Sequence, residues 1–308
     1  MFKIFLLMAL FCVQALAETK PQTVRLALNW KAEPQFGGFY AASVAGMDTK
    51  EGLKFDLLEG GSGTPTVQML ANQQVDFAVV SAEEILINNQ RNSKNPVVGV
   101  FAVFQTNPQM IMCHSEKGFK SLSEVFSSPV TLAWQSGLTY AQYLRRKYPK
   151  IKARLVPYAG GVSTFLSDLN FCQQGFLTSE PLAAEKVGAK VNAFLVADEG
   201  FNPYTTVLAV RLETLKQSPE LVGKVVRAVR GGWLAYLKNP TPANLAMNKI
   251  NPAMDKDTFT KSAVAQKRLI EKDLGKVSLE RWEKLAQALK DLKVLEVVSP
   301  TQAAFQNF

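Results

Sequence analysis

Residues 29–42 gather Asn29, Trp30, Glu33, Phe36, Gly37 and Tyr40 into one short run. An indole and phenyl rings can stack on a flat heterocycle, and a carboxylate can accept hydrogen bonds from ring amino groups. The glycine pair Gly37 and Gly38 can bring backbone N–H groups close to a ligand at a helix N-terminus. Trp30, Phe36 and Phe39 suit a hydrophobic core equally well, so the run alone leaves both roles open. Further candidates stand where strands are expected to end. Ser62, Gly63 and Thr64 offer donors to a polar edge or form a tight turn. Ser81 and Glu83 read as ligand contacts or as a helix cap. Trp134, followed by Gln135 and Ser136, can stack on a ligand or fill a core, while Tyr158 and Tyr204 each combine a ring face with a phenol. Thr178, Ser179 and Glu180 lead into Pro181, so Glu180 can serve a cleft or lie in a first helical turn capped by Ser179.

Catalytic constellations do not stand out. His114 is the one histidine, which leaves a Cys/His zinc site short of ligands, so Cys113 and His114 read as a strand end. No metal and no cofactor is expected, and the chain is expected not to be an enzyme. Cys113 and Cys172 remain after removal of a leader; a disulfide is possible, but two unpaired or buried thiols are the favoured expectation.

The elements that must carry these residues follow a strand, loop, helix rhythm. Strands are expected at 23–28, 53–58, 77–80 and 97–104, with helices at 39–45 and 67–72 between them. Pro108 suggests a change of direction, after which a second set of units begins: strands at 129–134, 154–157, 172–177 and 193–196, and helices at 139–147 and 162–169. A strand at 206–210 and helices at 219–238 and 279–291 end the chain. This order predicts an α/β protein of two lobes, each a mainly parallel sheet flanked by helices. One lobe would comprise 18–104 plus 205–308 and the other 105–204, so that two crossings form a hinge beside a cleft.

The chain has 308 residues, 47% of them hydrophobic, and a formal net charge of +9. Lysines and arginines alternate with acids, as in 267–293, so no basic stripe for nucleic acid emerges. Arg145, Arg146 and Lys147 read as a solvated helix face. Lys3, the apolar run 4–13 and the small-residue pattern at Ala15 to Ala17 form a secretory leader over 1–17, with cleavage after Ala17. Phe11 before Cys12 does not suit a lipidation site. A periplasmic monomer is therefore expected.

Three stretches carry a family resemblance. The run 29–42, the glycine turn Gly60 to Thr64 and the stretch Gln174 to Pro181 together resemble the NMT1/THI5-like family of periplasmic substrate-binding proteins, in order and in place. The resemblance extends to Val97–Gly99 with Phe104 and Gln105 at the first crossing, and to Gly200 through Tyr204 at the second. It implies a type II periplasmic binding fold, an ABC transporter permease as partner and a small pyrimidine-like ligand of the thiamine-precursor type. Phe36 stands where many pyrimidine-binding members have histidine, and a phenyl ring neither donates nor accepts. A sulfonate, nitrate-like or riboflavin-like solute is the alternative ligand. A pyrimidine-forming enzyme is the alternative of another class, but the iron-linked cysteine cluster of such relatives is missing.

Overall fold

The computed structural model describes residues 20–61, 63–297 and 301–308. The expected leader and Ser62 lie outside the described residues. Strands β1 (Gln22–Ala27), β2 (Leu53–Leu58), β3 (Phe77–Val80) and β4 (Val97–Phe104) build a first sheet, and β5 (Gln109–His114), β6 (Thr131–Trp134), β7 (Arg154–Pro157), β8 (Phe171–Phe176) and β9 (Val191–Leu195) a second. The chain then returns, and β10 (Thr205–Arg211) joins the first sheet between β3 and β4. The strand orders are β2-β1-β3-β10-β4 and β7-β6-β8-β5-β9.

Four of the five strands in each sheet run the same way, as expected, and one is inverted, so each sheet is mainly parallel but mixed. β1 runs parallel to β2 and β3, and β6 parallel to β7 and β8. The two strands that follow a crossing are inverted: β10 is antiparallel to β3 and β4, and β5 to β8 and β9. A strand entered from the neighbouring lobe has no preceding crossover helix to return it to the starting edge, so it meets its partners from the opposite end.

Helices pack on the sheets: α1 (Gly37–Val44), α2 (Met47–Lys50), α3 (Thr66–Ala71), α4 (Ala82–Arg91), α5 (Leu122–Ser127), α6 (Thr139–Lys147), α7 (Ser163–Ser167), α8 (Glu180–Lys186), α9 (Leu212–Gln217), α10 (Pro219–Lys238), α11 (Thr241–Ile250), α12 (Lys256–Ile270) and α13 (Leu279–Asp291). Among the described residues no helix is long and apolar enough to cross a membrane. Every residue of β4 is buried although the strand lies at a sheet edge. The chain end covers part of it, with Gln306 N donating to Gly99 O and Gly275 N to Ala102 O, both at 2.9 Å.

The glycine pair in the signature run is explained by packing. A Cβ on Gly37 would lie 2.2 Å from the Tyr236 ring, one on Gly38 2.1 Å from the Trp233 ring, and one on Gly232 2.2 Å from Gly38 O. Glycines on both helices therefore let α1 and α10 meet backbone to backbone. Phe36 and Phe39 are 1% and 0% exposed in the same cluster. Burying each such side chain contributes about 1.5–3 kcal/mol.

Cys113 and Cys172 are joined in a disulfide across adjacent strands β5 and β8, with their Cα atoms 4.4 Å apart. The expectation of unpaired thiols is corrected. The antiparallel register that pairs Met112 with Gln173 sets the next two residues opposite each other, and strand pairing of this kind is invisible in the spacing. His114, at the end of β5 as expected, stacks on Phe165 with ring centroids 3.9 Å apart.

Candidate functional site

The loop that follows β1 is fixed from two directions. Gly60 N donates to Trp30 O at 3.1 Å, Ala32 N to Glu59 Oε1 at 2.6 Å, Asn251 Nδ2 to Ala32 O at 3.2 Å and Gln266 Nε2 to Pro34 O at 2.9 Å. Gly60 has no space for a side chain, since its Cβ would lie 2.2 Å from Leu28 O. Glu33 precedes a short 3-10 turn at Pro34–Phe36 without capping it. Its carboxylate instead accepts from Trp30 Nε1 at 3.2 Å and Gln35 Nε2 at 3.1 Å.

The second sheet supplies the facing groups. Glu180 opens α8, and its carboxylate accepts from the Tyr158 hydroxyl at 2.8 Å and from Phe176 N at 2.8 Å. Gly175 makes room for it, because a Cβ there would lie 2.7 Å from Glu180 Oε2. Burial pushes the Glu33 carboxyl up to about 7, and the charge of Glu180 adds to the rise. Burial also raises Glu180, against the pull of its donors, and raises the Tyr158 phenol, which feels both carboxylates. Trp30, Glu33, Tyr158 and Glu180 are thereby brought into one neighbourhood from both sheets.

A second cross-lobe contact lies at Glu83. The Thr139 hydroxyl donates to Glu83 Oε1 at 3.3 Å, while Oε2 is buried without a partner, and burial pushes this carboxyl up to about 7. Among the described residues none of Glu33, Glu83 and Glu180 is in an ion pair. Thr178 is wholly buried with an unpartnered Oγ1, and its carbonyl accepts from Ser262 Oγ of α12. Lys186 of α8 pairs with Asp255 at 2.8 Å beside that contact. The Tyr40 hydroxyl is buried and unpartnered as well, near the charge of Glu59. Such orphaned atoms each cost about 1–3 kcal/mol.

Other candidates take structural places. Ser81 N and Oγ both donate to Glu84 Oε2, at 2.8 and 3.0 Å, as at a helix start. Gly63 turns with φ of 80°, and Thr64 Oγ1 accepts from Gly61 N at 2.8 Å. Asn29 is half-buried past the end of β1, and Ser179 is half-buried ahead of α8 without a side-chain cap. Tyr204 is 4% exposed; the Arg281 guanidinium lies 3.7 Å over its ring and its hydroxyl accepts from Ser278 N at 3.0 Å. Arg281 also donates to Gln105 O and Asn202 O, both at 2.6 Å, tying the two crossings together. Trp134 is 2% exposed and packs on Phe126 and Tyr140.

Several polar neighbours were not singled out as site residues from sequence. Thr139 gives no motif because its partner lies on another helix. Gln174 Oε1 accepts from Gln135 N and the Tyr140 hydroxyl, and its Nε2 donates to Gln135 Oε1 at 2.8 Å. A buried glutamine in a strand, Gln174, was the available signal.

Residues 33–243 match the family described as NMT1/THI5 like. The chain belongs to that family. One relative of this NMT1/THI5-like chain is the riboflavin-binding protein RibY of Chloroflexus aurantiacus, 25% identical over 323 residues that cover 94% of this chain and 87% of the relative. The chain also resembles the periplasmic aliphatic sulphonate binding protein SsuA from Escherichia coli, with a TM-score of 0.72 and 10% identity over 93% of this chain and 92% of the other. The periplasmic nitrate-binding protein NrtA from Synechocystis PCC 6803 matches with a TM-score of 0.65 and 13% identity over 92% and 84%. The fold is the two-lobed one of periplasmic binding proteins.

Proposed function

We propose that this chain is an extracytoplasmic receptor for an ABC importer, capturing a small planar heterocycle between its lobes and presenting it to a membrane permease. The lobes are 18–104 with 205–308, and 105–204. The ligand is pyrimidine-like, of the thiamine-precursor type, and carries N–H donors. Binding makes and breaks no bonds.

The observation that carries this reading is the pair of carboxylates without an ion-pair partner, Glu33 and Glu180, set on opposite lobes beside Trp30 and Tyr158. Two acceptors held out of water favour a partner rich in N–H groups, and they repel an anion. That argues against a free sulfonate or nitrate at this place, even though SsuA and NrtA share the fold. A riboflavin-like ring is the second reading, supported by the likeness to RibY. Trp30 supplies a ring face, and Tyr40, Glu83, Trp134 and Thr178 supply buried polar atoms with no protein partner. Gly63 and Thr64 after β2, Ser81 after β3 and Ser179 after β8 are the secondary contacts of this reading.

Calorimetry and thermal shift with aminopyrimidines, flavins, alkanesulfonates and nitrate test the proposal. An N–H-bearing heterocycle should bind at micromolar affinity or better and raise the melting temperature. Tight binding of a simple anion, competing with no heterocycle, would overturn it.

A further inference from the structure

Arg145, Arg146 and Lys147 close the last turn of α6. All three are exposed, as the sequence reading expects of a solvated face, but they differ in their partners. Arg146 donates to the Asp291 carbonyl and Lys147 pairs with Glu199. Arg145 instead lies over the Trp134 indole, its guanidinium carbon 5.3 Å from the ring centroid. Among the described residues it has neither a hydrogen-bond acceptor nor a carboxylate partner.

Beside this pair is a cavity of about 260 Å³, lined by Trp134, Gln135, Ser136, Arg145 and residues 155–158. No carboxylate lines it. Trp134 is 2% exposed and its Nε1 has no partner. Trp233 and Trp282 also bury unpaired indole nitrogens, but neither lines this cavity. Gln135 uses its Oε1 on Gln174, which leaves its amide N–H groups unengaged. The lining thus offers donors from Arg145, Gln135 and Ser136, with one cation and no anion, while the Trp134 indole N–H is buried behind it. Tyr158 belongs to two places at once: it lines the cavity and donates to Glu180 at 2.8 Å.

We propose that this cavity is an oxyanion subsite, holding a phosphate, sulfonate or carboxylate arm of a ligand whose ring lies at Glu33 and Glu180. The position of the ring rests on the reading above; the subsite rests on Arg145 and Trp134. A guanidinium stacked on an indole is weakly hydrated and keeps its N–H edge available for two bonds to an oxyanion. Carboxylates at one end and a cation at the other would orient a dipolar ligand and reject its reverse. Tyr158 is the joint between the two ends.

Two matched pairs test this on the full chain by calorimetry: phenyl phosphate against phenol, and flavin mononucleotide against riboflavin. The phosphorylated member of each pair should bind about tenfold or more tightly. Arg145→Gln should remove that preference while leaving the melting temperature and riboflavin binding unchanged. Glu180→Gln should weaken both flavins and leave the phosphate preference intact. A preference that survives Arg145→Gln, or is missing in the unsubstituted protein, overturns the subsite. Retained phenyl phosphate binding with no flavin or pyrimidine binding overturns the ring site and leaves the subsite standing.

Discussion

Glu180 lies close enough to Glu33 for its charge to help raise the Glu33 pKa, although one comes from the loop after β1 and the other from the first turn of α8 beside the second sheet. Among the described residues neither is in an ion pair, and the only cation whose charge works against the rise at Glu33 is Lys31. The lobes therefore bring together two acceptors that stay costly to ionise despite their protein donors, until further donors reach both.

Proton exchange on binding follows from this pair. A ligand that donates N–H groups favours the ionised carboxylates, so at pH 6 binding should release protons, and affinity should rise between pH 5 and about 7 before levelling off. Titrations at pH 6 in two buffers of different ionisation enthalpy measure the protons released. Equal heats in both buffers would remove the pair from the site.

The same shifts set the stability of the ligand-free protein. Glu33 and Glu83, both raised to about 7, hold protons in the native state that the unfolded chain has already released. Native protonation exceeds unfolded protonation in that window, so stability should fall as pH climbs from about 4.5 to about 7, by up to about 3 kcal/mol for each carboxyl. Denaturant melts at pH 5 and pH 7.5 check the sign, and Glu83→Gln should flatten the slope.

Gly175→Ala should act on the site without touching a ligand. The new Cβ would meet the Glu180 carboxylate at 2.7 Å, so Glu180 must leave its bonds to Phe176 N and Tyr158. A loss of heterocycle affinity of about tenfold or more is expected, comparable to Glu180→Gln. Circular dichroism and a melt should show the protein still folded; full affinity in both variants would sink the assignment.

Two glycines of α10 should respond oppositely to alanine. Gly232→Ala drives a Cβ into the α1 backbone, 2.2 Å from Gly38 O, and should cost about 1–3 kcal/mol or more. Gly223→Ala meets only the flexible tip of Arg227 at 3.3 Å and should gain about 0.5–1 kcal/mol from reduced backbone freedom. Thermal melts of the pair separate packing from propensity.

Removing the disulfide with a Cys113→Ala, Cys172→Ala double variant should cost about 2–4 kcal/mol, since the bridge closes a loop across a sequence separation of 59. The midpoint of denaturant unfolding should fall accordingly; an unchanged midpoint would show that strand pairing alone holds β5 to β8.

The sequence by itself determined the elements and their rhythm. Strands at 53–58, 77–80, 97–104 and 154–157 and helices at 139–147, 219–238 and 279–291 stand where apolar periodicity and breakers place them, because those signals are local. Local chemistry also picked out Trp30, Glu33, Tyr158 and Glu180 as candidates. Only the tertiary structure decided which of them face one another. It inverted β5 and β10, joined Cys113 to Cys172, and gave Gly37 and Gly38 a packing partner in α10. It also turned Arg145 onto Trp134. The physical reason is shared: strand register, helix contact and cation–ring stacking join residues far apart in the chain, where spacing carries no record of the partner.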